Sequence, residues 1–459
     1  MPTLITRGAA SAKAFGFTGA SAASTPALVT MSYQGTNQYY PFTVQGGADG
    51  NYYQSGVDYT NGFINLIKYN GTTGAIIWQK SIAGASSQMA VYQSGIAVDS
   101  SNNVYLWFNL GGGITSNKCY LNKYNSSGVL QWQRQLYNSY VGESQSQAGG
   151  VAVNSAGTLI VVTGIYKSGG TGGGQACGVV AYNSSGTLQW QRKLRNSTNG
   201  YLWGYSVAFD TSDNIYVSGY TDSPSDQGFL LKYNSSGTIQ WQRTWNGNTN
   251  RGYSVSLDSS NNIYIGAGLS PNNGTNFYWL KFNTSGTLSA SKQLNSGTFG
   301  PIPYSKADAS GNMYGIRMEN STPYEIRVNK LDSTGAIAFS NRITVTSGVN
   351  NTQMQPSGST IVGNASTGLY FAVASTAPLT AGGAAGPIWV LPRDGTKTGA
   401  STITVGVMQF TYTATTASTA NVTLTASDPA YTESVGDWLE AAGGNTDGTP
   451  SYSNSATTF

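Results

Sequence analysis

Histidine is missing altogether from these 459 residues, and cysteine occurs only twice. The first absence excludes Ser-His-Asp and Cys-His nucleophilic systems, most zinc sites and the commonest general base. Two isolated cysteines cannot make a thiolate metal cluster. Charge is also scarce: 9% of residues are Asp, Glu, Lys or Arg, against ~25% in an average domain. The net charge of +4 is spread along the chain with no basic run, so the footprint of a nucleic-acid binder is missing. No stretch approaches the ~20 apolar residues of a membrane helix. The opening MPTLITRGAASAKAFGFTGASAAS has no continuous apolar segment of the kind a secretory signal needs. Neither membrane insertion nor signal-dependent export is expected. The glycine runs at 111–113 and 172–174 are not followed by Lys-Ser or Lys-Thr, so no phosphate cradle is expected. The stretches DSSNN and DTSDN lack the Gly and distant Glu of a calcium loop. No metal and no cofactor is expected.

Gly, Ser, Thr, Asn and Gln fill the place of the missing charge, and there are 30 Tyr. Such a composition, with few blocks of 3.6-residue period, favours strands and tight turns over helices. The dominant feature is a repeat. LNKYNSSGVLQWQRQL at 121–136 returns as VAYNSSGTLQWQRKL at 180–194 and as LLKYNSSGTIQWQRTW at 230–245. The glycine of this turn recurs at Gly74, Gly128, Gly186, Gly237, Gly286 and Gly335, with a degenerate seventh near Gly395. A second marker precedes it: VDSSNNVYL at 98–106, VNSAGTLIV at 153–161, FDTSDNIYV at 209–217, LDSSNNIYI at 257–265 and ADASGNMYG at 307–315. Weaker copies at 47–54 and 355–363 bring this count to seven too.

Each unit divides into four short strands, best seen as YSVAFD (205–210), NIYVSGY (214–220), FLLKYN (229–234) and IQWQRTW (239–245). Runs of Val, Ile, Tyr and Trp bounded by Asp, Asn, Ser and Gly read as strands in hairpins. Four antiparallel strands at a period of about fifty residues mark a β-propeller. The fold expected is all-β: a seven-bladed propeller of four-stranded antiparallel blades over 37–410. An extended N-terminal arm, 1–36, precedes it, and 411–459 follows as C-terminal strands and a loosely ordered tail. The units resemble the SBBP-type β-propeller repeat, whose pattern is met most closely at 214–241. That resemblance implies a fold and no activity.

Trp78, Trp132, Trp190 and Trp241 recur once per unit and are expected to pack between blades. A cation follows two residues later, at Lys80, Arg134, Arg192, Arg243, Lys292 and Arg342. Its stem is expected to lie on the ring or to pair with an Asp; a ring of cations for an acidic partner is the alternative. Cys119 and Cys177 hold the same place in neighbouring units. Such positions stand roughly 10 Å or more apart in a propeller, beyond the ~7 Å that a disulfide spans, so both are expected as free thiols. The repeated acids Asp99, Asp210, Asp258 and Asp308 read as Asx-turn caps.

Chain reversal puts the short, uniform turns on one face of the ring. The long, dissimilar loops go to the other, where recognition usually sits. Candidate binding residues on that face are Tyr137, Tyr140, Tyr201, Trp203, Trp245, Phe277 and Tyr278; the alternative for each is that it seals a blade joint. No catalytic residue is assigned. The N-terminal 25 residues and the histidine-free, Asn/Ser/Gly-rich body resemble structural proteins of tailed bacteriophages of marine cyanobacteria. This implies a non-enzymatic virion protein made in the host cytoplasm, a tail or tail-fibre component presenting its loop face to a host-surface receptor or glycan. The N-terminal arm would dock it to other virion proteins, in several copies. A purely architectural virion protein and a carboxylate-dependent glycan-cleaving enzyme are the alternatives.

Overall fold

The computed structural model describes residues 28–458, except 34–38, 59–61, 72, 84–93, 111–117, 138–146, 168–174, 197–200, 223–226, 247–250, 269–276, 296–303, 320–324, 348–354, 363–369, 379–383, 393, 395–398, 406–407, 415–417, 422–424, 428–430, 436–438, 443–446 and 449–452. Strand β1 (Leu28–Tyr33) comes first. Blade 1 is β2 (Tyr39–Gly46), β3 (Tyr52–Asp58), β4 (Phe63–Tyr69) and β5 (Ile76–Ala83). Blade 2 is β6 (Ser94–Val98), β7 (Val104–Leu110), β8 (Lys118–Tyr124) and β9 (Leu130–Tyr137). Blade 3 is β10 (Gln147–Val153), β11 (Leu159–Lys167), β12 (Gln175–Asn183) and β13 (Leu188–Asn196). Blade 4 is β14 (Leu202–Phe209), β15 (Ile215–Thr221), β16 (Gln227–Tyr233) and β17 (Ile239–Asn246). Blade 5 is β18 (Arg251–Leu257), β19 (Ile263–Gly268), β20 (Phe277–Phe282) and β21 (Leu288–Asn295). Blade 6 is β22 (Tyr304–Ala307), β23 (Met313–Glu319), β24 (Glu325–Leu331) and β25 (Ile337–Ser347). The strands β26 (Gln355–Val362), β27 (Tyr370–Pro378), β28 (Ala384–Pro392) and β29 (Gly399–Val405) follow.

Six blades, not the seven expected, are therefore built from four consecutive antiparallel strands. What reads as a seventh unit is assembled differently. Its strands β26, β27 and β28 form a sheet with β1, which pairs antiparallel with β28 from Leu28↔Val390 to Ser32↔Gly386. The strand that should have closed the unit, β29, instead joins the edge of the blade 6 sheet through β30 (Met408–Ala414). The weak marker around Gly395 is the physical reason: its sequence lacks the Asn-X-X-Gly turn of blades 2 to 5 and the variants Asn70–Gly74 and Asp332–Gly335 that fold the outer strand back in blades 1 and 6. The first strands of the sheets touch in succession from β2 to β26, and β26 meets β2, so the composite sheet closes the ring.

The rest of the chain travels back around the ring. β30 lies on blade 6, β31 (Ser418–Asn421) on blade 5, β32 (Thr425–Ser427) on blade 4 and β33 (Tyr431–Val435) on blade 3. β34 (Leu439–Ala442) lies on blade 2, β35 (Asp447–Gly448) on blade 1 and β36 (Ser453–Thr458) on β1. Each pairs antiparallel with the outermost strand of its sheet. Strand starts along this belt advance by roughly seven residues, about 23 Å of extended chain, and each step reaches the next blade edge. Unpaired outer edges would otherwise offer free N–H and C=O groups to other chains.

The hydrophobic core lies between blades rather than inside one sheet. Tyr53, Val57, Ile64 and Leu66 of blade 1 pack with Val104, Leu106 and Phe108 of blade 2. Comparable clusters join blades 2 and 3, 3 and 4, 4 and 5, and 5 and 6, and join blade 1 to Ile388 and Val390 of the composite sheet. Sheets buried on both faces explain the nearly continuous apolar runs of the middle strands.

The repeated YNSSG and QWQR segments meet across these joints. The Asn of the turn accepts hydrogen bonds from backbone N–H groups two and four residues on, as Asn183 does from Ser185 (3.1 Å) and Thr187 (2.8 Å). The Gly takes the left-handed conformation, with φ of 76° at Gly237. Under that glycine lies the tryptophan of the preceding blade, and Trp190 donates its indole N–H to the Ser235 carbonyl (2.9 Å). Trp78 does the same to Ser126 (3.1 Å) and Trp132 to Ser184 (3.0 Å). The arginine completes the clamp: Arg134, Arg192 and Arg243 donate Nε to the carbonyls of Gly186, Gly237 and Gly286 at 2.6, 2.8 and 2.8 Å. Each guanidinium lies 5.2–5.6 Å from its tryptophan ring. Blade 5 has no tryptophan on β21, but Trp279 of β20 lies under Gly335 instead. Arg342 departs from the series and pairs with Glu325 of its own blade at 3.1 Å.

The acids close the other set of turns. Asp210 accepts from the N–H groups of Ser212 and Asn214 (both 2.8 Å), from the Asn214 amide (2.8 Å) and from the Tyr216 hydroxyl (3.0 Å). Asp99, Asp258 and Asp308 repeat the arrangement, as Asx-turn caps. Cys119 and Cys177 are free and buried.

Two outcomes test this account. Gly50 and Gly237 share a φ of 76°, but a Cβ at Gly50 meets nothing within 4 Å while one at Gly237 falls 2.5 Å from the Trp190 ring. Gly50→Ala is expected to cost about 1–2 kcal/mol of backbone strain, and Gly237→Ala about 1–3 kcal/mol more for overpacking; urea unfolding of the two variants checks the difference. Truncation after residue 416, which removes β31–β36, is expected to turn a monodisperse protein into a self-associating one. Light scattering at matched concentration reads this out.

Candidate functional site

The seven residues expected on the long-loop face divide sharply. Tyr140 lies outside the described residues, and Tyr137 is described only by its backbone, which pairs with Leu439. Trp245 is fully buried between blades 4 and 5, its ring 5.9 Å from Phe282. Phe277 is buried in the joint between blades 5 and 6, and half-buried Tyr278 packs against the joint between blades 4 and 5. Tyr201 and Trp203 remain: Tyr201 is 41% exposed and Trp203 is half-buried.

These two rings stand 6.5 Å apart and begin a larger aromatic group. Trp203 meets Tyr220 edge-on at 4.9 Å and Tyr205 at 6.3 Å. Tyr205 stacks on Tyr220 (5.7 Å) within blade 4 and on Tyr253 (5.3 Å) of blade 5. The Arg251 guanidinium lies over the Tyr220 ring, 3.8 Å from its centroid. Gln175 of blade 3 accepts the Trp203 indole N–H through Oε1. Asp222 holds the approach to the group: its Oδ1 accepts from the Tyr201 N–H (2.7 Å), and its own N–H donates to the Tyr201 carbonyl (3.3 Å).

Strand polarity puts all of these residues at one end of the ring. Trp203 and Arg251 begin the inner strands β14 and β18, Tyr220 ends β15 and Gln175 begins β12. These are the ends that lead into the long loops. Local irregularity aims two of the rings. In β14 the register shifts between Gly204 and Ser206, and in β18 between Gly252 and Ser254, leaving Tyr205 and Tyr253 as bulged residues. A bulge re-aims the side chain it carries. Here it turns both tyrosines toward the joint between blades 4 and 5, where they stack. The group spans three blades and joins flat aromatic faces to an amide, a carboxylate and a guanidinium, the combination that stacks on and hydrogen-bonds a polyhydroxylated ring.

Burial pushes the Tyr205 hydroxyl well above the ordinary tyrosine range, and the neighbouring Tyr220 and Tyr253 add to this; the charge and hydrogen bond of Arg251 act the other way. Tyr205, Tyr220, Tyr253, Arg251 and Gln175 were not among the candidates named from the sequence, where Tyr205 and Tyr220 read as strand residues and Gln175 and Arg251 fell in the long loops. The signal that marks two of them is the repeated Gly-Tyr-Ser-Val at 204–207 and 252–255, with the tyrosine at the bulge both times. Among the described residues no group of three Asp, Glu or Cys side chains is placed to hold a metal ion.

Residues 196–224 match the model of the SBBP β-propeller repeat, a segment that contains Tyr201, Trp203, Tyr205 and Tyr220. No curated protein matches the chain. Among solved structures, a protein of unknown function from Dyadobacter fermentans is 10% identical, with 79% of this chain and 98% of that one covered and a TM-score of 0.42. An ulvan lyase, described as a new family of polysaccharide lyase, is 9% identical over 79% and 96% of the two chains, with a TM-score of 0.42. A variant of the Synechocystis apocarotenoid oxygenase is 9% identical over 64% and 68%, with a TM-score of 0.39.

The buried hydroxyls and thiols fix the response to alkali. Burial, then the charge and hydrogen bond of the Asx-turn Asp, raise the pKa of Tyr105 and Tyr216, and burial raises Cys177 to about 12. Unfolded tyrosine ionises near ~10 and unfolded cysteine near ~8.5. The folded state thus keeps protons that the unfolded state releases, and stability present below these values falls as pH rises through them. Urea midpoints are expected to decline from about pH 9 upward, with the tyrosinate absorbance of these residues developing only as the protein unfolds. A pH titration followed by absorbance and circular dichroism checks both.

Proposed function

We propose that the long-loop face of this propeller recognises a glycan on a cell surface, and that the chain does so as a non-enzymatic structural component of a bacteriophage particle. The observation that carries the recognition part is the group formed by Tyr201, Trp203, Tyr205, Tyr220 and Tyr253. It combines an exposed ring, a half-buried one and an arginine lying on the aromatic stack, all at the end of the ring from which the dissimilar loops leave. Rigid aromatic faces contribute contact area at little entropic cost, Gln175 fixes the Trp203 ring, and the flanking Asp222 supplies a carboxylate that orients hydroxyl groups. The virion part is supported by the character of the first 25 residues and by the histidine-free, Asn/Ser/Gly-rich composition, which resemble tail and tail-fibre proteins. In that setting the N-terminal residues contact other virion proteins, and the propeller is held in several copies so that weak single contacts add up.

A glycan array probed with the full chain is the direct test. Binding to a restricted set of glycans is expected. Tyr201→Ala, a change at an exposed side chain, should weaken it several-fold, and Trp203→Ala about tenfold or more. Binding to no glycan and to no host-cell surface, or binding that both variants leave intact, would overturn the reading and favour a purely architectural role.

A further inference from the structure

The opposite end of the ring carries a second feature that the loop face does not use. A cavity of about 550 Å³ opens on the axis at the short-turn face, lined by the inner strands of blades 1 to 6. Ligand pockets commonly fall between ~300 and 1,000 Å³. One register position makes the space. Two residues before the residue that opens the Asx-type turn stand Gln45, Ala97, Ala152, Ala208, Ser256 and Lys306, one per blade and all on the cavity wall. Three are alanine and one is serine, so little side-chain volume enters from four blades. The sixth blade contributes a long cationic chain into the room so cleared.

The remaining wall is divided between apolar residues, among them Ile96, Val98, Val153, Val207, Phe209 and Leu257, and polar ones, among them Ser155, Thr211, Ser259 and Asn261. Asp210 and Asp258 are the acids on the described lining. Their carboxylates are already engaged with the turn N–H groups, an Asn amide and a Tyr hydroxyl. Lys306 also departs from the other lysines of the repeat. Lys68, Lys123, Lys232 and Lys281 lie 5.2–5.4 Å over a tyrosine ring and donate to a carbonyl of the next blade. Lys306 belongs to an inner strand and lines the cavity instead. Burial lowers its pKa.

We propose that this axial cavity binds a small amphipathic anion, one acidic group joined to an apolar body, with Lys306 as the anchor for the acidic group. The apolar part of the wall takes the body, and a charge-assisted hydrogen bond from the ammonium takes the acid. The six-blade lining admits a single ligand on the axis, so binding is one per chain.

The test uses the intact chain and the fluorescent sulfonate 8-anilinonaphthalene-1-sulfonate, with decanoate as competitor. Saturable binding of one probe per chain, displaced by decanoate, is expected. Lys306→Met should weaken it about tenfold or more, whereas Lys306→Arg should retain it. Ala309→Trp, at the exposed rim of the cavity, should block it while leaving Lys306 in place. Trp203→Ala, on the other face, should leave it unchanged, which separates this site from the proposed glycan surface. Absence of saturable binding, an unchanged affinity in Lys306→Met with a native melting curve, or loss in Trp203→Ala alone would overturn the proposal. Should Lys306→Met fail to fold, the Lys306→Arg and Ala309→Trp pair still decides the outcome.

Discussion

A tryptophan held beneath the left-handed glycine of the next blade is the contact on which the architecture rests. A propeller blade cannot bury its own faces; each must lean on a neighbour. The indole fixes how far apart two sheets stand, its N–H and the arginine Nε satisfy carbonyls of the facing turn, and the glycine leaves room for the ring. Four requirements meet in about fifteen residues, so those residues are nearly copied from blade to blade while the loops are not. Blade 5 shows that the requirement is spatial. It has lost the tryptophan of the outer strand and fills the same place under Gly335 from the adjacent strand with Trp279.

That division of labour explains what could be read from the amino-acid sequence. The four-strand unit, the turn chemistry and the interblade tryptophans were legible because each depends on local residue types at fixed offsets: Asn or Asp to cap, Gly to turn, Trp to fill. The number of regular blades was not. Counting markers gave seven units, but the last has no turn strong enough to fold its outer strand back, and β1 and β29 exchange the roles the count implied. Pairing between Leu28–Ser32 and Gly386–Val390 joins segments more than 350 residues apart, and no local pattern announces such a partner.

The same limit applies to the candidate site. Tyr201 and Trp203 were visible as aromatics in a loop. Trp245 and Phe277 looked alike in the sequence yet are core residues, because each lies at a strand end turned toward a neighbouring blade. Tyr205 and Tyr253 gain their positions from a one-residue register shift, which alters direction without altering composition. The two ends of the ring consequently differ in kind. At one, aromatic side chains from two blades gather beside the long loops; at the other, small residues withdraw around one lysine.

The belt and the composite sheet together impose an order of events on a chain made from its N-terminus. β1 is made before any of the blades, yet its two partners, β28 and β36, both come after all six regular blades. Residues 28–33 must wait through the production of all six regular blades before their first neighbour exists. The last strand cannot be set until the polypeptide has doubled back past every blade already formed. Contacts of such long separation make closure slow, and a ring interrupted at that stage displays the raw edges from which assemblies of interlocked copies grow. The architecture therefore postpones closure of the ring until the strands through β36 have been made.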